Sequence, residues 1–103
     1  MKFGLSEDNI DKINGIFAKY KQIDEVILYG SRAMATNRDG SDIDLAIKGS
    51  DLNISILSKI NSDLDDLLLP YKFDISNLSQ IKNKDLLDHI DRVGVCFYNK
   101  STT

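Results

Sequence analysis

Apolar residues recur along this chain with two different periods, and the alternation of those periods predicts its fold. Ile10, Ile13, Phe17 and Tyr20 fall at three- and four-residue spacing. That is one apolar face of a helix over about 7–20, with Ser6 able to cap it. Residues 25–29 form a β-branched and aromatic run that reads as a first strand, ended by Gly30. Residues 31–35 can make the first turn of a short helix, and the polar stretch 36–41 carries the turn signal Asp39-Gly40. Over 42–48 the period drops to two: Ile43, Leu45 and Ile47 face one way, Asp42, Asp44 and Ala46 the other. Leu52, Ile56, Ile60, Leu64 and Leu67 then mark a long helix over 51–69, followed by Pro70. A third alternating strand, 71–76, points Phe73 and Ile75 one way and Asp74 the other. A helix over 84–92 with Leu86, Leu87 and Ile90 inward, and a last strand over 93–98, complete the pattern. Residues 99–103 read as a frayed tail.

The order is thus helix, strand, short helix, strand, helix, strand, helix, strand. Strands separated by helices predict an α/β (α+β) domain, a sheet of about four strands with helices packed on it. Only the second and third strands alternate cleanly, and their polar sides carry aspartates. The expectation is that helices cover one sheet face and the aspartates stand on the other. At 103 residues the chain reads as one domain, 1–103, large enough to bury a core without staples.

Composition narrows the function. A net charge of −3 gives no reason to expect strong nucleic-acid binding. No apolar run approaches the ~20 residues of a membrane span, and the N-terminus lacks the apolar core of a signal peptide. The single Cys96 excludes an intramolecular disulfide and fits a reducing, cytoplasmic setting. The acidic residues are nearly all Asp, a short carboxylate suited to turns and ion sites.

The chemistry concentrates in Gly30-Ser31, ten intervening residues, and Asp42-Ile43-Asp44. Two residues apart on a strand, both carboxylates project from one face, with Cα atoms roughly 6.6 Å apart at ~3.3 Å of rise per residue. Carboxylates so placed can converge on metal ions ~3.5–4 Å apart. Asp74 is the natural third member, provided its strand lies beside the second in register. Crowded acids repel, and a divalent cation removes that penalty; oxygen ligands favour Mg²⁺ or Mn²⁺. Gly30 lets backbone amides approach an anion, the helical turn after it presents unpaired N–H groups, and the Ser31 hydroxyl adds a donor. A triphosphate held there would bring its α-phosphorus to the acids, ready for nucleotidyl transfer.

Blander readings stand beside these. An isolated Asp-x-Asp is ordinarily a solvated strand face; the upstream Gly-Ser and the downstream Asp74 argue against that here. Arg32 reads equally as a phosphate contact or a helix-surface residue. Arg38 and Asp39 read as loop tips, His89 as a solvated helix residue, Cys96 as a buried or inert thiol, and Ser41 as a turn former. Tyr20 and Tyr98 read as partial core.

Tyr29-Gly30-Ser31-Arg32-Ala33 with Ser41-Asp42-Ile43-Asp44-Leu45 resembles the signature of the DNA polymerase beta-type nucleotidyltransferases, and in particular their minimal (MNT) branch. The resemblance spans nearly the whole chain and implies a nucleotidyltransferase-type mixed sheet. It implies that Asp42, Asp44 and Asp74 hold a pair of Mg²⁺ ions and that Gly30 and Ser31, with Arg32, hold the phosphates of ATP. One departure is Ala35, where family members often carry glycine. Larger members use an added domain for the acceptor. A chain this short leaves the acceptor to a partner or to a second copy of itself. MNT domains of this kind resemble antitoxins paired with small helical HEPN-domain toxins, and the implied activity is transfer of AMP onto a toxin tyrosine. The rival expectations are an antitoxin that only binds, and an enzyme acting on a small molecule or an RNA end.

Overall fold

Each helix starts where a short polar side chain can take up an otherwise unpaired amide. Ser6 accepts from the Asn9 amide (3.1 Å), Asn53 from Ile56 (2.9 Å), and Asn83 from Asp85 and Leu86 (2.9 and 3.2 Å). In the computed structural model, which describes residues 2–38 and 40–100, these caps open α1 (Glu7–Phe17), α2 (Ile54–Asp65) and α3 (Lys84–Val93). The strands are β1 (Ile23–Tyr29), β2 (Ile43–Gly49), β3 (Phe73–Asn77) and β4 (Val95–Asn99). The three long helices and four strands follow the expected order, but residues 31–35, expected as a short helix, form only turns, and a short 3-10 helix that the sequence pattern does not predict forms at Leu78–Gln80. The long second helix is shorter than its apolar stripe predicts, because Asp51 (φ 58°) and Leu68 (φ 56°) adopt left-handed backbone and break the helical path at both ends. The expected tail begins later: Asn99 pairs with Glu25, and the Lys100 ammonium donates to the Lys21 carbonyl at 2.9 Å. Residues 101–103 lie outside the described residues.

The sheet has the order β3-β2-β1-β4. β1 runs antiparallel to β2 and β4, while β3 lies parallel to β2. A parallel neighbour needs a crossover, and α2 supplies it. On one face, Val26, Leu28, Ile43, Leu45 and Ile47 pack against Ile13, Phe17, Ile60 and Leu64 of α1 and α2.

The other face corrects the expectation that helices cover one side only. Tyr29 and Ala46 are buried there beneath Ile90, with Ile27 and Leu86 packed alongside. α3 therefore lies on the aspartate-bearing side. It covers β1, while the short 3-10 helix Leu78–Gln80 lies against β2, and β3 is left to the acids. The cause is the central position of β1, whose apolar residues point both ways and need cover on both faces. No helix among the described residues is long and apolar enough to cross a membrane.

Candidate active site

Strand register brings two of the predicted acids side by side. Asp44 pairs with Tyr29 on β1 and with Asp74 on β3. Directly paired residues share a sheet face, so the phenol and both carboxylates stand on the same side. Asp42 precedes β2 by one residue and is exposed, as is Asp74, while Asp44 is half-buried. Burial pushes the Asp44 carboxyl above the ordinary carboxylate value. The neighbouring Asp74 and Asp42 carboxylates push it further, against the opposing pull of His89 and Arg32. The Tyr29 phenol is also raised, by burial first, then by Asp74 and Asp44, with a Ser76 hydrogen bond working the other way.

These three acids fit a hard divalent cation by donor type and by mutual repulsion. They do not form a finished cage: among the described residues no three His, Cys, Asp or Glu side chains already converge to hold a metal ion.

Gly30 brings the chain turn against Asp44. Its φ is +78°, and a Cβ at that position would collide with the Asp44 carboxylate. Glycine adopts this backbone without strain and leaves the carboxylate where it stands. The next residues close one helical turn through Met34 N–H to Gly30 C=O (3.2 Å), Ala35 to Arg32 (3.4 Å) and Thr36 to Ser31 (2.9 Å). The last two bonds form a Schellman pattern whose left-handed position is usually glycine. Ala35 occupies it, with φ 59°. This is the site of the family departure noted above. Ala35→Gly is therefore expected to raise stability by up to ~1 kcal/mol, read as a higher urea midpoint with an unchanged slope.

Arg32, read as either a phosphate contact or a helix-surface residue, is not on the surface. It is only 2% exposed. Its Nε and one terminal nitrogen donate to the Ser41 carbonyl (3.1 and 2.7 Å), and the other terminal nitrogen donates to the Phe3 carbonyl (2.8 Å). The guanidinium also lies over the Tyr71 ring, at 4.8 Å. It ties the turn to the N-terminal segment and to the approach to β2. Arg32→Lys keeps the charge and loses the fork, so we expect a loss of about 1–3 kcal/mol in denaturant unfolding.

Ser41 shapes the turn into β2 as expected, its hydroxyl accepting from the Arg38 amide at 2.9 Å. Arg38 is exposed, as a loop tip should be. Asp39 lies outside the described residues. Cys96, expected to be buried or inert, is an exposed residue whose thiol is partly covered; that partial burial and the nearby Glu25 hold its pKa up, which keeps the thiol unreactive.

His89 is the site residue that sequence reasoning missed. Its Nε2 accepts the Gly30 amide at 3.1 Å, and its ring meets Tyr29 edge-on, with centroids 6.1 Å apart and planes at 81°. A signal was present: His89 follows Leu86 by three and precedes Ile90 by one, which places it beside the buried stripe of α3.

A mixed four-stranded sheet with an acid pair across its parallel junction, and a glycine-serine turn packed against one acid, defines a nucleotidyltransferase-type fold. The chain belongs to the polymerase beta nucleotidyltransferase family, whose model matches residues 11–103. No curated protein matches it by sequence. Solved structures share its fold. A chain of a toxin–antitoxin complex crystallised with AMP-PNP superposes with a TM-score of 0.71 at 21% identity, covering 95% of this chain and 77% of that one. A chain of the Shewanella oneidensis complex of tri-AMPylated HEPN toxin with MNT antitoxin gives 0.69 at 18% identity, covering 95% and 76%. A chain of the MntA-HepT toxin–antitoxin pair gives 0.69 at 18%, covering 94% and 75%.

Proposed function

We propose that this chain is a metal-dependent nucleotidyltransferase that moves AMP from ATP onto a tyrosine hydroxyl of a small helical HEPN toxin, acting as its antitoxin in the cytoplasm. The observation that carries the reading is the register of Asp44 with Asp74 beside Gly30. The family membership and the likeness to chains of toxin–antitoxin complexes support it.

In the transfer, the acceptor oxygen bonds to the α-phosphorus, the bond from that phosphorus to the β-phosphate bridge breaks, and pyrophosphate leaves. Asp42 and Asp74 are both exposed, and Asp74, on the edge strand, takes up the proton of an incoming hydroxyl, directly or through water. Asp42, Asp44 and Asp74 would hold Mg²⁺ or Mn²⁺, which neutralises charge on the phosphates. Ser31 offers its hydroxyl and amide to those phosphates, and Gly30 permits the close approach. Ile43, Leu45 and Ile47, fully buried on the opposite face of β2, anchor the strand that carries Asp44.

Co-expression with a HEPN partner, followed by incubation with Mg-ATP, tests this by intact mass. An AMP adduct on a partner tyrosine is expected. Neutralisation that survives Asp44→Asn without an adduct would instead make the chain a binding-only antitoxin.

A further inference from the structure

The transfer chemistry leaves one polar side chain of the site unused. His89 projects from α3 beside Ile90, which seals the small core on the acid-bearing face. It reaches the Gly30 amide across 59 residues of sequence, at 3.1 Å. Accepting at Nε2 puts the ring proton on Nδ1. The amide has a single hydrogen, and His89 takes it. The following amides of Ser31, Arg32 and Ala33 find no backbone acceptor among the described residues. They and the Ser31 hydroxyl are the donors left for an anion.

Glycine is the most mobile of residues, and nothing in its own side chain can hold this peptide at φ +78°. The structure tethers it from both ends instead. The Gly30 carbonyl is held by the Met34 amide within the turn, and the Gly30 amide is held by a separate element, α3.

We propose that His89 is the positioning residue of the phosphate turn. It anchors the Gly30 peptide to α3 and so fixes the direction in which Ser31 and the amides after it face. This rests on the reading of Gly30-Ser31 as the phosphate turn. The acceptor lone pair does the anchoring, and the ring's contact with Tyr29 is secondary.

Two substitutions separate the lone pair from the ring. His89→Phe keeps an aromatic ring against Tyr29 and removes the acceptor. His89→Gln removes the ring and offers an amide oxygen at similar reach. Hydrogen exchange at the Gly30 amide, followed by NMR without nucleotide, is expected to quicken about fivefold to tenfold in His89→Phe, the scale of one hydrogen bond. It should stay close to wild type in His89→Gln. With Mg-ATP and an acceptor partner, KM for nucleotide should rise about fivefold in His89→Phe while kcat changes little, and His89→Gln should restore it. Unchanged Gly30 exchange in His89→Phe, or equal defects in both variants, would overturn the proposal. Failure of the wild-type chain to bind nucleotide would sink the functional reading alone, and the Gly30 exchange would still decide the anchor.

Discussion

Asp44→Asn is expected to remove nucleotidyl transfer while making the metal-free fold more stable. The carboxyl sits half-buried beside Asp74 and Asp42, and burial and those charges raise its pKa. A raised folded pKa means that the fold prefers the neutral acid. Its contribution to stability is present in full below the ordinary carboxylate range and is lost as pH climbs through the raised value. At neutral pH the ionised Asp44 therefore works against folding. Asn is uncharged and nearly the same shape, so the variant should gain stability, by no more than about 0.5 kcal/mol because solvent screens this half-exposed group, and lose this part of the pH dependence. Transfer should fall at least about 10²-fold, the scale seen when one preorganised charge-stabilising group is deleted. Addition of Mg-ATP should reverse the order of stabilities. The wild-type chain gains from a ligand that binds only the folded state, and the variant gains little. Urea titrations of both proteins at several pH values, with and without Mg-ATP, read the stabilities, and the adduct mass on the partner reads the transfer.

Gly30→Ala is expected to be the second most damaging change, and Gly40→Ala provides its control. Both glycines are left-handed, at φ +78° and +81°. Around Gly40 an added Cβ meets nothing within 4 Å, so Gly40→Ala carries only the backbone strain, about 1–2 kcal/mol. At Gly30 the same methyl meets the Asp44 carboxylate. That carboxylate is the tip of a rotatable side chain. It can swing aside, which limits the extra destabilisation to about 1 kcal/mol. The larger loss is in aim, since Asp44 then no longer faces Asp74. Activity should drop about 10²-fold or more in Gly30→Ala and stay near wild type in Gly40→Ala. Equal activities in the two variants would show that the contact between turn and acid has no catalytic consequence.

The parts of the candidate site that sequence could reveal are those fixed by local geometry. Gly30 after an apolar run, and Asp42 and Asp44 two apart on a strand, needed only strand periodicity. The partnership of Asp44 with Asp74 needed strand order, which no local pattern encodes; the register supplies it. The one-face expectation for the helices failed at β1. Val26 and Leu28 face α1 and α2, whereas Ile27 and Tyr29 lie beneath α3. That continuous apolar run was the available sign of burial on both faces. His89 was misread for the same reason, since a helix assigned to no face offers its residues no partners. Arg32 shows a different limit. Its three bonds go to backbone carbonyls of Ser41 and Phe3, acceptors that every residue carries and no sequence pattern marks. Ala35 was legible as a departure from the family, and the left-handed turn supplies its physical meaning.

The most direct test of the site is nucleotide binding by titration calorimetry, with and without Mg²⁺, for the wild-type chain, Asp44→Asn and Asp74→Asn. The account predicts that the wild-type chain binds ATP only with the divalent cation, and that either substitution removes the cation dependence together with most of the affinity. Equal binding by all three proteins, or binding indifferent to Mg²⁺, would contradict it.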